Sequence, residues 1–436
     1  MARPNILYIH SHDTGRYVQP YGYAIPSPNI QKLAEEGILF SQAYCASPMC
    51  SPSRAALLTG QCPHSCGQFG LVNCGFPLRD SNKHIAHTLK KNGYYTALYG
   101  LQHIHIDPTV LGYDRIVEVQ KNERVIDGVI YKYDAEPTTK ATVDFLNNKP
   151  KEPFFLTVVY FETHRDFPQL GPDDDPRYCH IPSPLPDTPE VRKEMAGFKA
   201  SAKIFDDNVG AVIHALEENG LKDNTLIICT TDHGIPFPGM KRCLTGHGTG
   251  VMLIIRRPCE FSEGRVSDSL ISQLDIYPTI CELLEIDPPS WLEGKSMLPI
   301  IKDEKDEIND EVFYEANYQG IDYTPQRAVR TQRWNYVRVY DQHSNILQEK
   351  LYDLILDPNE RNNIANDSSM CETLKELQDR LNHWMEKTDD PILQGSLPIP
   401  LDSIALNPED KDLIDHGNYL YNTFKSWENR IQLDNR

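Results

Sequence analysis

The sequence predicts an α/β fold: a large mixed, mostly parallel sheet flanked by helices, with a smaller C-terminal subdomain of antiparallel sheet plus helix. Three observations predict it. Continuous apolar runs at residues 5–10, 153–161 and 225–231 read as strands buried on both faces, the pattern that parallel sheets produce. Stretches of helical character at 28–37, 84–92 and 207–220 alternate with the strand-like runs, giving the βα rhythm of such folds. From about residue 311 the rhythm changes to short amphipathic strands without parallel-type crossovers, which is the signature of an antiparallel sheet. The division expected is therefore residues 1–310 for the large α/β domain and 311–436 for an α+β subdomain with a tail.

The composition supports a full core and removes several classes of partner. The chain has 436 residues, 40% hydrophobic and 24% charged, which is ordinary for a globular protein. Its net charge of −19, with no long Lys/Arg block to offset it, argues against nucleic acid and against an anionic membrane surface. An anionic substrate would need a local cationic pocket. The first residues lack the charged head, apolar core and small-residue cleavage site of a signal peptide, and no apolar run reaches membrane-spanning length. Eleven cysteines, an odd number scattered along the chain, read as reduced thiols of a cytoplasmic protein. Cys62-Pro-His64-Ser-Cys66 reads as loop packing, because no second Cys/His pair follows at zinc-finger spacing.

In chain order, the strand at 5–10 ends in Ser11-His12-Asp13-Thr14-Gly15, and side chains at a strand's carboxyl end stand where open α/β sheets place their sites. A helix over 28–37, opened by Pro28 and stopped by Gly37, and a strand at 38–40 then deliver the chain to Cys50-Ser51-Pro52-Ser53-Arg54 and the trailing Leu58-Thr59-Gly60. This places Cys50 just before a helix N-terminus, where free backbone N–H groups and the helix dipole favour anions. Pro52 suits the first turn, Arg54 sets a fixed cation beside the thiol, and Thr59-Gly60 closes the segment. The position suits a nucleophile. The pattern Cys-X-Pro-X-Arg with Leu-Thr-Gly behind it resembles the signature of type I sulfatases in the alkaline-phosphatase superfamily, in which a separate enzyme oxidises the Cys to formylglycine.

The resemblance extends along the chain to about residue 391. At 12–13 the family has Asp-Asp on a divalent metal; here His12-Asp13 stands, so the first carboxylate is replaced. After the helix at 84–92 and the strand at 95–99, Gly100-Leu101-Gln102-His103 is similar to the family's Gly-Lys-X-His: His103 matches, and Leu101 replaces the sulfate-binding Lys. The strand at 153–161 runs into Glu162-Thr163-His164-Arg165, similar to the Asp-Pro-His-Arg of the N-sulfoglucosamine sulfohydrolase-like branch, where the His contacts the leaving group. The strand at 225–231 ends in Asp232-His233, where the family's Asp-Asn completes the metal site, and Lys241 matches the Lys that spans sulfate and a metal-side oxygen. The segments 248–258 and 273–284 look like the scaffold strand and helix that follow. Strands at 311–318, 327–330 and 334–340, a helix at 371–387 and Thr388-Asp389-Asp390-Pro391 resemble the sulfatase C-terminal subdomain. No chemical motif lies beyond 396.

What the resemblance implies is a metal-dependent sulfatase that hydrolyses a sulfate ester or sulfamate, expected on a sugar, through a formylglycine made from Cys50. The catalytic set is Cys50, Arg54, His103, His164 and Lys241; the metal set is His12, Asp13, Cys50, Asp232 and His233. Ca²⁺ is the metal of the family, while the two histidines make Mn²⁺ or Zn²⁺ plausible. A formylglycine-generating enzyme is the implied protein partner. For the missing lysine, His105, Gln102 and Arg242 are the candidate replacement donors. Two other functions fit the motifs: a phosphonate monoester or phosphodiester hydrolase of the same superfamily, and an inactive glycan-binding homologue.

Overall fold

The computed structural model describes residues 3–397, apart from 119–123, 127–128, 132–134, 258–263 and 320–321. The expected tail therefore lies outside the described residues, as does the end of the segment read at 248–258. In chain order, β1 (Asn5–Ser11), α1 (Pro28–Glu35) and β2 (Ile38–Tyr44) lead to α2 (Cys50–Thr59) and the one-turn α3 (Pro63–Cys66). Next come α4 (Ile85–Lys91), β3 (Tyr95–Gly100), β4 (Arg115–Val117) and a separate hairpin of β5 (Arg124–Ile126) and β6 (Val129–Tyr131). The middle of the chain forms α5 (Ala135–Asn147), β7 (Phe154–Val159), α6 (Pro189–Glu218), β8 (Thr225–Thr231), α7 (Gly246–Thr249), β9 (Leu253–Arg256) and β10 (Arg265–Ser272). After α8 (Ile276–Leu283) and α9 (Leu298–Ile301), the strands β11 (Val312–Gln319), β12 (Asp322–Arg330), β13 (Trp334–Tyr340) and β14 (Ile346–Asp353) precede α10 (Cys371–Lys387).

Eight strands make the large sheet in the order β10-β2-β9-β8-β1-β7-β3-β4. All pairings are parallel except those of β9, which runs against both β2 and β8. Every residue of β1, β7 and β8 is buried, which is why these segments are unbroken apolar runs rather than alternating ones. The two faces carry separate cores: Ile6 and Tyr8 pack with Ala55, Leu57 and Leu58 of α2, while Leu7 and Ile9 pack with Phe205, Val209 and Val212 of α6. The register aligns the carboxyl ends, with Ser11 beside Thr231, His10 beside Val159, and Val159 beside Gly100. Four loops thus leave the sheet along one edge.

The second sheet is antiparallel, in the order β11-β12-β13-β14. It docks on the chain just ahead of α2: Glu315 N–H donates to Ala46 O at 2.9 Å, and Tyr314 packs against Tyr44 with ring centroids 6.4 Å apart. Four elements depart from the sequence reading. The helix expected at 207–220 is the second half of the 30-residue α6, whose start is capped by Thr188 accepting from Val191 N–H, with Pro in the first turn. The strands β10 and β14 were not read as strands, because their outer halves are exposed and polar. Pro63–Cys66 of the segment 62–66 forms α3 rather than a loop, and His64 is buried there against Glu315.

Candidate active site

All nine of the expected residues converge at the carboxyl edge of the large sheet. β1 delivers His12 and Asp13, β8 delivers Asp232 and His233, and the loops after β3 and β7 deliver His103 and His164. Cys50 is the first residue of α2. That helix is buried along its whole length, so its first turn is held rigidly under the loops, and Gly60 at φ 70° ends it by returning its N–H to Ala56 O at 2.8 Å.

Asp232 is fully buried and saturated. One carboxylate oxygen accepts the N–H groups of Asp13 (2.7 Å) and His233 (3.0 Å), and the other accepts Arg54 Nε (3.2 Å) and lies 3.4 Å from His12 Nδ1. Burial works to raise its pKa, but His233 and Arg54 hold it far below the usual carboxylate range. Arg54 also donates to Ser11 O at 3.2 Å and to Leu101 O at 3.4 Å, so one guanidinium ties three loops together. Lys241 Nζ donates to Asp13 at 2.7 Å. Burial opposes the Lys241 charge, yet Asp13 and Cys50 raise its pKa, so it is an ammonium at neutral pH.

The Cys50 sulfur lies 3.3 Å from His233 Nε2 and 3.8 Å from Asp13 Oδ1. Although burial works to raise the thiol pKa, Lys241, His233, His103 and His12 bring it well below its ordinary value. His233 Nδ1 bonds Gly234 O at 2.9 Å, which aims Nε2 at Asp13 (3.1 Å) and Cys50. Despite burial, Asp232 and Asp13 raise the His233 pKa to about 9. His12 goes the other way: burial and Arg54 push it down to about 3, so its ring is neutral. His164 is a quarter exposed and lies at the mouth, with Nε2 3.8 Å from Asp13 Oδ2.

Ligand atoms of His12, Asp13, Cys50 and Asp232 all lie within 4.8 Å of one another. Both ring nitrogens of His12 are buried without a hydrogen-bond partner, an expensive state for an imidazole unless a ligand uses its lone pair. A neutral His, two buried carboxylates and the group at position 50 form a mixed set that fits a divalent metal. Asp13 and His103 hold φ angles of 54° and 55°, left-handed conformations that cost about 1–3 kcal/mol each in a non-glycine residue and collect at working sites.

The loop donors proposed for the missing lysine divide. The Gln102 amide accepts from Ile104 and His105 N–H and donates to His105 O and to Glu118, so it is consumed by its own turn. His105 Nδ1 is likewise held by the backbone of Asp107 at 2.8 Å. The expectation for Gln102 is corrected by this turn chemistry, His105 keeps Nε2 outside its turn, and among the described residues the Arg242 guanidinium has no hydrogen-bond or ion-pair partner. Other contributors went unread in the sequence. Ser53 Oγ donates to Asp232 O at 2.5 Å, and Thr14 and Thr163 join under Asp13 at 3.2 Å. Phe161 packs on His164 and His12 at 4.7 and 5.4 Å between ring centroids. Ser53 sits inside the Cys50 motif and was open to detection; Phe161 closes an apolar strand and gives no signal of its own.

Comparison with known proteins agrees with this geometry. The sulfatase family model matches residues 4–286, and the model described as N-sulphoglucosamine sulphohydrolase, C-terminal, matches residues 239–387. Human N-sulphoglucosamine sulphohydrolase is 27% identical over 474 aligned residues, covering 89% of this chain and 91% of that protein. A solved structure in complex with its substrate D-glucosamine-2-N,6-O-disulfate superposes with a TM-score of 0.75 at 21% identity, over 89% of this chain and 99% of the other. The phosphonate monoester hydrolase of Agrobacterium radiobacter superposes with a TM-score of 0.74 at 20% identity, over 88% and 96%. The last two likenesses concern the fold.

Proposed function

Because the chain belongs to the sulfatase family, we propose that this sulfatase hydrolyses sulfate esters or sulfamates on sugars, with a formylglycine made from Cys50 and a divalent metal beside it. The observation that carries the reading is the convergence on Cys50 of two cations, two buried carboxylates and four imidazoles at one sheet edge. The human relative's name and the disulfated sugar in the solved structure support a sugar sulfate as the substrate class.

His12, Asp13, Asp232 and His233 would hold the metal, together with the group at position 50. Bound there, a dication would lower the pKa of the attacking hydroxyl and neutralise sulfuryl oxygens. Oxidation of Cys50 to formylglycine would supply a hydrated aldehyde, one hydroxyl to attack and one to expel the sulfate. The remaining work belongs to side chains already in place. Lys241, charged and anchored on Asp13, faces the sulfuryl group and shares its developing charge with Arg54. His164, at the mouth, protonates the departing alcohol or amine. His103 lies against Cys50 with a buried, unpartnered Nδ1 and takes the proton of the second hydroxyl. Ten described cysteines are free thiols, which suits the cytoplasmic reading, and among the described residues no helix is long and apolar enough to cross a membrane.

The test is peptide mass at Cys50 after co-expression with a formylglycine-generating enzyme, with metal content and sulfate and phosphate release measured on the same sample. The expected result is a hydrazide-reactive peptide at residue 50, about one dication per chain, and sulfate release from N-sulfoglucosamine that disappears in Cys50→Ala. Chelation should lower the melting temperature, and Mn²⁺ should restore it at least as well as Ca²⁺, because imidazole nitrogens favour the transition metal. Phosphate release from a diester without any sulfate release would transfer the assignment to phosphonate or phosphodiester hydrolysis. Sugar binding with an unmodified Cys50 and no turnover would make it a glycan-binding homologue.

A further inference from the structure

The loops around the site hold a cation, Arg242, that no anion of the site answers. Asp13 is answered by Lys241 at 2.7 Å and Asp232 by Arg54 at 3.2 Å. Arg165 is committed to Glu194 and to Pro236 O, with its guanidinium against the Phe167 and Phe237 rings. Arg242, next in sequence to Lys241, is half-buried, and among the described residues its guanidinium has no hydrogen-bond or ion-pair partner. A chain of net charge −19 offers many carboxylates that could have paired with it.

The backbone at Arg242 is fixed in place. Its N–H donates to Pro48 O at 3.1 Å, two residues ahead of Cys50, while Lys241 N–H donates to Ile235 O and Cys243 N–H to Met240 O. The turn closes so tightly on Gly248 that a Cβ there would meet Cys243 O at 2.1 Å and Met240 O at 2.3 Å. Arg242 itself holds a left-handed φ of 72°, as Asp13 and His103 do in the site's other loops. Strain of this kind persists only where surrounding structure enforces it. The result is a planar, permanently charged fork on a rigid turn next to Lys241, unmatched among the described residues.

We infer that Arg242 binds a second anion of the substrate, a sulfate or carboxylate elsewhere on the sugar, so that the enzyme selects doubly charged sugar sulfates over singly charged ones. The inference rests on the sulfatase reading above. A guanidinium takes either oxyanion through paired N–H donors, and such bonds are about twice as strong as neutral ones.

The experiment compares glucosamine-2-N,6-O-disulfate with glucosamine-2-N-sulfate in the metal-loaded, formylglycine-bearing enzyme. Arg242→Ala should lower the ratio of kcat/KM values, disulfate over monosulfate, by about 10-fold or more, chiefly through KM. Arg242→Lys should recover part of the ratio. Arg242→Gly, which relieves the left-handed φ, should lose the ratio as Ala does while its melting temperature holds or rises, separating recognition from folding. An unchanged ratio in Arg242→Ala, or equal losses on both sugars, overturns the inference. If the parent releases sulfate from neither sugar, the sulfatase reading falls and calorimetric binding to Cys50→Ala decides for Arg242. Tighter binding of the disulfate that vanishes on adding Arg242→Ala sustains it, and equal affinities overturn it.

Discussion

Arg54 concentrates the order of the site in a single side chain. It is 2% exposed and donates to Asp232, Ser11 O and Leu101 O, three acceptors that belong to three different loops. Lysine has one ammonium and no fork, so it cannot reach all three. Arg54→Ala leaves Asp232 buried with only part of its charge answered, and removing one partner of such a pair costs about 3–5 kcal/mol. We expect a loss of that size in urea denaturation of the metal-free protein, and a smaller one with saturating Mn²⁺, whose charge replaces part of the guanidinium's. Equal losses with and without metal would show that Arg54 acts through packing alone. Leu101 belongs to the same account. Its main-chain oxygen accepts from Arg54 at 3.4 Å and so joins the loop after β3 to the same guanidinium.

At the scale of elements, α2 is the part whose placement everything else requires. Its ten residues are all buried, so it has no solvent face along which to slide, and Cys50 can occupy only one position against β1 and β8. The helix stops at Gly60, whose φ is 70° and whose absent Cβ would lie 2.4 Å from Leu292 Cδ2. Gly60→Ala therefore meets both a strained conformation and a collision. It should destabilise the protein by about 1–3 kcal/mol, read as a lower denaturation midpoint with unchanged slope. Retained stability would mean that the turn and Leu292 relax together, and that α2 is less fixed than its burial implies. α6 illustrates a different limit: its first half packs Met195, Phe198 and Ala202 into a small cluster with Tyr17 and Phe237, a partner no local pattern announces.

Across the whole molecule, the second sheet is tied to α3 and to the segment after α10 by a buried set of charges. His64 of α3 bonds Glu315 of β11, and Arg327 of β12 bonds Asp390 at 2.5 and 2.9 Å, all four side chains being shut away from water. Burial depresses the His64 pKa, but Glu315 and Asp390 outweigh it and raise the net value above 6.5. The stabilisation due to His64 is therefore complete below pH 6.5 and is lost as pH rises through the folded-state value. Glu315 and Asp390 are shifted down, burial being outweighed by His64 and Arg327, so their share is present above their unfolded values and is lost in acid. Unfolding free energy should thus fall as the pH rises above 6.5, and His64→Gln should flatten that fall while lowering stability at pH 6. A pH dependence equally steep in His64→Gln would place its origin elsewhere.

How much of this was legible follows from the range of each interaction. The buried strands β1, β7 and β8 and the Cys50 motif were readable because continuous apolar runs, a proline, a glycine stop and a fixed Cys-to-Arg spacing are local statements. The strand-end pairs His12-Asp13 and Asp232-His233 were readable as site residues because a parallel strand, once recognised, fixes which end faces the ligand. The antiparallel β9 between β2 and β8 was not, since pairing direction is decided by which neighbour is free when the sheet closes. Nor could the sequence separate Gln102, His105 and Arg242, three polar residues in loops: two bond their own turns, and the third has no side-chain partner among the described residues. The sequence by itself determined which residues gather at the sheet edge, because their types and spacings are local. Tertiary structure alone decided which of them are charged, paired or left over, because burial and charge partners come from segments as far apart as Asp13 and Lys241.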